Sequence, residues 1–76
     1  MSKFQSFVIA ELHSARIKFP NLNSAHEAYA VILEEVQEFW DECRKKDTDR
    51  DPKEMLSELV QISTMAQRAA EDLELI

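Results

Sequence analysis

The sequence contains no glycine among its 76 residues. Tight β-hairpin turns usually need glycine or Asn-Gly at positive φ, and because neither occurs we do not expect an all-β fold. Glycine-rich loops that bind phosphate are excluded for the same reason. Helical periodicity covers most of the chain instead. We therefore predict an all-α fold with a single domain over residues 1–76.

Charge and cysteine content narrow the functional classes. Fifteen acidic and nine basic residues give a net charge of −6, which argues against nucleic acid as a partner because phosphate binding needs clustered Lys and Arg. The single Cys43 cannot form an internal disulfide, as expected for a cytoplasmic protein. We expect no secretory signal and no membrane association, since the longest apolar run, residues 28–33, is too short to span a bilayer.

Capping signals and apolar spacing predict three helices, over residues 3–19, 24–46 and 52–73. Ser2, Ser24 and Asp51 have side chains that are favoured at helix N-caps. Three successive cations at positions 44–46 predict the end of the second helix, because the helix dipole favours positive charge in the last turn.

The second and third helices carry apolar stripes with alternating spacings of four and three residues, which is typical of helices packed along a neighbour. Because their connection is short, we expect a long antiparallel hairpin, with the shorter N-terminal helix across it. Further apolar positions predict that a homodimer or homotetramer completes a helical bundle. The predicted stripes are Ala25, Tyr29, Ile32, Val36, Phe39 and Cys43 in the second helix and Met55, Leu59, Ile62, Ala66, Ala69 and Leu73 in the third.

Helical phase singles out a small set of oxygen-bearing side chains. Glu35 and Glu38 share one face of the second helix because they are three residues apart, and Glu58 and Gln61 have the same spacing in the third. Glu58 lies inside the apolar stripe, where an unpaired carboxylate is costly. The hairpin register brings the two pairs close together. Oxygen ligands of this kind suit Mg²⁺ or Mn²⁺, so we predict a metal site at these four residues.

Two simpler interpretations stay open for the same residues. The acidic residues of the second helix are also typical of an ordinary solvent-exposed helix face. Glu58 is also explained by an ion pair with Arg68 or with a cation of a partner chain. The two pairs, Glu35 with Glu38 and Glu58 with Gln61, lie in register on adjacent helices. This combination is a more specific sign of a metal site than either pair alone.

The segment Glu34-Glu35-Val36-Gln37-Glu38, followed by Glu58-Leu59-Val60-Gln61, resembles the EExxE…ExxD signature of the MazG-like all-α nucleoside triphosphate pyrophosphohydrolases. The similarity extends from residue 24 to about residue 73, with Gln61 where the family has Asp. It implies Mg²⁺ at the positions of Glu35, Glu38, Glu58 and residue 61. It also implies hydrolysis of a nucleoside triphosphate to the monophosphate and pyrophosphate, by an active enzyme or a degenerate relative that keeps the metal site. Members of the family are commonly dimers or tetramers.

An enzyme of this type needs an acid that activates water, and Glu35 and Glu38 are the expected catalytic residues. Glu34 is expected to support the motif without binding the metal. Candidate substrate-binding residues are Arg68, Lys45 and Trp40, although Lys45 also fits a helix-end charge and Trp40 a core or subunit-interface residue. The competing function is a non-catalytic helical oligomerisation or interaction module, in which the acids serve solubility or partner choice.

Overall fold

The computed structural model describes all 76 residues. It contains three α-helices and no β-strand, which confirms the predicted all-α class. The helices are α1, Lys3–Lys18; α2, Ala25–Cys43; and α3, Pro52–Asp72. None of them combines the length and the apolar character needed to cross a bilayer.

The first two helices begin at the predicted capping residues. The Ser2 hydroxyl accepts a hydrogen bond from the Gln5 amide, and the Gln5 side chain accepts one from the Ser2 amide, which completes a capping box. At α2 the Ser24 hydroxyl accepts from the Glu27 amide. The Glu27 carboxylate, however, accepts from the amide of Asn23 rather than of Ser24. This second cap therefore also holds the chain that leads into α2.

The end of α2 differs from the prediction, because the helix stops at Cys43 rather than at residue 46. The physical reason is the guanidinium of Arg50, which folds back from the connection and donates two hydrogen bonds to the Cys43 carbonyl oxygen. Unsatisfied carbonyl groups at a helix end need such donors. A cation does serve the C-terminus of α2, but it comes from outside the predicted run.

A buried carboxylate joins α2 to α3. Glu42 accepts a hydrogen bond from the Asp51 backbone amide at 2.9 Å and one from the Lys45 ammonium at 3.0 Å. Asp51 is itself the N-cap of α3, and its side chain accepts from the Lys53 amide. The carboxylate of Glu42 therefore fixes the α2–α3 connection, and it does so from a position that looks like ordinary surface charge in the sequence.

Helix α3 packs against both other helices, whereas α1 and α2 do not pack on each other. Contacting residues follow opposite orders along α2 and α3: Glu42 binds Asp51, whereas Ala28 lies in one apolar cluster with Ala69. Leu22, from the connection between α1 and α2, completes that cluster. The arrangement leaves α3 between the other two helices.

The apolar stripe predicted for α2 is only partly the face that packs. Tyr29 is 67% exposed and Val36 is 41% exposed, and Leu59 of the α3 stripe is exposed as well. Ala25 and Ala66 are exposed too, so five of the twelve predicted stripe residues do not lie on a packed face of the chain. The prediction is wrong at these positions because α2 and α3 have apolar residues on more than one face. The buried and half-buried residues of α2 form its packed face: Ala28, Val31, Ile32, Glu35, Phe39, Glu42 and Cys43. We call the exposed row Tyr29, Leu33, Val36 and Trp40 the outer stripe.

Candidate functional site

A cleft of about 670 Å³ lies along α3, with α1 and α2 both contributing to its lining. The connection between α1 and α2, residues 19–23, closes one part of it. The lining includes most of the charged residues that the sequence singles out. The residues discussed below are Glu11, Glu34, Glu35, Glu38, Glu58, Gln61 and Arg68.

Three predicted ligands come together in this cleft. Glu35, Glu38 and Glu58 each offer a carboxylate oxygen, and these atoms lie within 4.8 Å of one another. We call these residues the acidic trio. Neighbouring ligands of Mg²⁺, with bonds of about 2.1 Å, are about 3–4 Å apart, so the trio is close to the spacing that such an ion requires.

The hydrogen bonding of the trio also fits a cation. One carboxylate oxygen of Glu35 and one of Glu58, both Oε2, are buried without any hydrogen-bond partner. Burying a charged oxygen without a donor or a cation is costly. An oxygen-binding divalent ion would satisfy both atoms, and the residues present therefore fit Mg²⁺ or Mn²⁺.

Electrostatic repulsion within the trio is visible in the pKa values. Burial, followed by the neighbouring Glu38 carboxylate, raises the pKa of Glu35 to about 7. Burial and Glu38 raise the pKa of Glu58 as well. Desolvation and like charge both disfavour the ionised form of a carboxyl group. A cation among the three carboxylates would reverse this effect.

The fourth predicted ligand, Gln61, lies in the same cleft but is also held by α1. Its Nε2 donates a hydrogen bond to Oε1 of Glu11 at 2.8 Å. Sequence reasoning missed Glu11, because no spacing within α1 distinguishes it from a surface acid. Only the placement of α1 beside α3 reveals the contact.

Arg68 is a buried cation without an acidic partner. It is 4% exposed and lines the cleft. Its guanidinium donates to the Pro20 carbonyl at 3.0 Å and lies 5.9 Å from the centre of the Phe19 ring, while its Nε has no partner. No ion pair joins it to Glu58, so the simpler explanation of Glu58 by this pair is wrong within one chain.

The other predicted site residues are placed differently. Glu34 lines the cleft next to the trio but is exposed. Lys45 lies outside the cleft and pairs with Glu42 at the α2–α3 connection. Trp40 also lies outside it, on the outer stripe, and is 60% exposed. Of the three predicted substrate-binding residues, the structure brings only Arg68 to the trio's cleft.

No protein-family model, curated protein or solved structure matches the chain. The resemblance to MazG-like enzymes therefore depends on the acidic motif itself.

Proposed function

We propose that the chain is a Mg²⁺-dependent nucleotide pyrophosphohydrolase, which converts a nucleoside triphosphate to the monophosphate and pyrophosphate. Glu35, Glu38 and Glu58, with the amide oxygen of Gln61, would hold Mg²⁺ or Mn²⁺. The observation that carries the proposal is the convergence of three carboxylates from two helices within 4.8 Å, two of them with buried oxygens that lack partners. Hard divalent cations bind oxygen ligands of this kind and usually share them with substrate phosphates.

Residues of the cleft would bind the substrate and accept a proton. When bound, the ion neutralises phosphate oxygens and makes a coordinated water more acidic. Arg68, with a partnerless Nε in the same cleft, would bind a phosphate oxygen by a charge-assisted hydrogen bond. Glu35 or Glu38 would accept the proton of the attacking water. Glu34 would support this end of the cleft from outside the trio.

The assay that tests this function measures pyrophosphate release from a panel of nucleoside triphosphates with Mg²⁺. We expect release by the wild-type protein and a decrease of about 100-fold or more in Glu38→Gln and Glu58→Gln, because each removes a charged ligand. Glu54→Gln is the matched control: it removes one negative charge from α3, one turn before Glu58 and outside the cleft. No release from any triphosphate, with both trio variants unchanged in Mg²⁺ binding, would contradict the proposal.

We further infer that α2 and α3 form an antiparallel hairpin that a second copy of the chain completes to a bundle. The radius of gyration is 13.3 Å, whereas a compact chain of this length has about 11 Å. The accessible surface is 5562 Å², against about 4,800 Å² for a folded monomer of this mass. The outer stripe, together with exposed Leu56 and Leu59 on α3, supplies apolar surface that a second copy would cover.

Sedimentation velocity tests the assembly independently of activity. We expect a dimer or tetramer at micromolar concentration, and dissociation to monomers when Val36 and Trp40 are both replaced by Glu. A compact wild-type monomer would contradict the inference. Assembly without turnover would instead favour the alternative function, a non-catalytic helical oligomerisation module. The outer stripe by itself would be sufficient for such a module.

A further inference from the structure

We propose that Glu11 is a positioning residue for the metal site: its carboxylate orients the Gln61 amide so that the amide oxygen, and not the amide nitrogen, is presented to the acidic trio. The inference rests on the metal site proposed above. It assigns α1 a part in that site, although the acidic motif lies entirely on α2 and α3.

The contact that carries the inference joins two helices across the cleft. Gln61 Nε2 lies 2.8 Å from Glu11 Oε1, between partly buried side chains that are 50 positions apart in the chain. Both residues line the cleft that contains the trio. Gln61 follows Glu58 by three residues in α3, so the two side chains lie on the same side of the helix.

The chemistry of the pair determines which end of the amide faces which neighbour. An ionised carboxylate only accepts hydrogen bonds, whereas a glutamine amide has one accepting and one donating end. Glu11 therefore selects the orientation in which Nε2 points to α1. Because Oε1 is on the other side of the same planar group, it is turned away from Glu11 and kept available as a ligand.

Without this partner the amide has no fixed orientation in the cleft. A rotated amide would present its NH₂ group, which cannot bind a cation and would instead donate to the carboxylates. Residues that hold metal ligands in the correct orientation commonly change metal affinity by about 10–100-fold when they are removed. Glu11 also adds a further negative charge to a cleft whose fourth ligand is uncharged, so its charge and its hydrogen bond must be separated experimentally.

Calorimetric titration with Mg²⁺ alone separates these effects through a double-mutant cycle. A glutamine at position 11 can either donate to or accept from the Gln61 amide, so Glu11→Gln no longer selects one orientation of that amide. We expect Glu11→Gln and Gln61→Ala each to weaken Mg²⁺ binding by about tenfold. The double variant should bind no more weakly than Gln61→Ala, because a positioning residue has no effect once its target is gone. Glu54→Gln again provides the charge control, and the loss in Glu11→Gln should clearly exceed the loss in that variant.

A second measurement follows the amide directly. In the wild-type protein the side-chain carbonyl carbon of Gln61 should shift in NMR spectra when Mg²⁺ is added, and in Glu11→Gln, where the amide can turn either way, this shift should be clearly smaller. Thermal melting of every variant, followed by circular dichroism, shows that the fold is retained. A purely structural role for Glu11 would lower the melting temperature and leave both metal readouts unchanged.

The possible outcomes distinguish this inference from the proposed function. If Glu38→Gln and Glu58→Gln weaken Mg²⁺ binding but Glu11→Gln does not, the metal site stands and the positioning role is wrong. If Glu11→Gln weakens binding equally in the Gln61→Ala background, Glu11 acts on the ion itself and the positioning role is again wrong. If the wild-type protein binds neither Mg²⁺ nor Mn²⁺, the proposed function and this inference both fail.

Discussion

Acidic side chains have opposite surroundings at the end of α3 and in the cleft. Asp72 is buried at the end of α3, where it accepts a hydrogen bond from the Leu22 amide at 2.8 Å and forms an ion pair with Arg16. Glu35 and Glu58, in the cleft, each have a buried oxygen without a partner and lie next to other carboxylates. One region pairs its charges, and the other brings like charges together.

The pKa values show what this difference means for folding. Burial acts to raise the pKa of Asp72, but the Leu22 amide and Arg16 outweigh it, so that the pKa is lowered. Burial and the adjacent Glu38 raise the pKa of Glu35 to about 7. Ionised Asp72 therefore stabilises the fold, whereas ionised Glu35 destabilises it. Titratable groups with strongly shifted pKa values, which lower stability when ionised, are often found at functional sites. The contrast with Asp72 therefore supports the interpretation of the trio as a functional site.

Removing the charge of Asp72 should have the largest effect on stability. We expect Asp72→Asn to lower the free energy of unfolding by about 2 to 3 kcal/mol, because Arg16 and the Leu22 amide lose a buried charged partner. Urea denaturation at neutral pH measures the loss. Glu71→Gln is the matched control, since Glu71 binds the same Arg16 at 2.7 Å from a more exposed position. An equal loss in the two variants would show that burial does not distinguish them.

The same kind of substitution in the cleft should have the opposite sign. Without divalent ions, we expect Glu35→Gln to raise the free energy of unfolding by about 1 to 2 kcal/mol at pH 8. This is less than full conversion of the pKa shift would give, because the carboxylate is partly solvated. Urea denaturation in EDTA is the measurement. Added Mg²⁺ should stabilise the wild-type protein and leave the variant nearly unchanged. Destabilisation by Glu35→Gln in EDTA would contradict the contrast between the two regions.

The class of fold and the acidic trio could be predicted from the sequence, because the fold class follows from local periodicity and the trio from helical phase together with the expected hairpin register. Helix starts follow from single capping residues such as Ser2 and Ser24. The trio follows from the three-residue spacing of Glu35 and Glu38 and from the position of Glu58 among apolar residues. These signals need only helical geometry and an approximate register.

The remaining features depend on contacts between distant segments. The packed face of α2 could not be chosen from the sequence, because the helix has a second apolar row through Tyr29 and Val36, and a carboxylate, Glu42, in its contact with the connection to α3. Glu11 has no distinguishing spacing in α1 and acquires its role only where α1 meets Gln61. The end of α2 likewise depends on Arg50, which returns from beyond the helix.

The pH dependence of the free energy of unfolding should show the effects of both regions in one experiment. The expected changes are smaller than those caused by the two substitutions. Between the ordinary value of 4.5 and about 7, the folded state holds a proton on Glu35 more tightly than the unfolded state does. The free energy of unfolding should therefore decrease as pH rises through this range, by about 1 kcal/mol after allowance for solvent screening. Glu58, whose pKa is also raised, contributes in the same direction.

The paired region should produce the opposite slope at lower pH. The pKa of Asp72 is lowered from 3.8, so its stabilising contribution is complete above that value and is lost as the pH falls below it. In EDTA, stability should therefore be greatest near pH 5 and lower on both sides, as measured by urea denaturation at intervals of half a pH unit. Glu35→Gln should flatten only the slope above pH 5, and Asp72→Asn only the slope below pH 4. If the free energy of unfolding of the wild-type protein rose steadily from pH 5 to pH 8, the cleft carboxylates would not oppose folding. They would then not differ from the paired acids in their effect on stability.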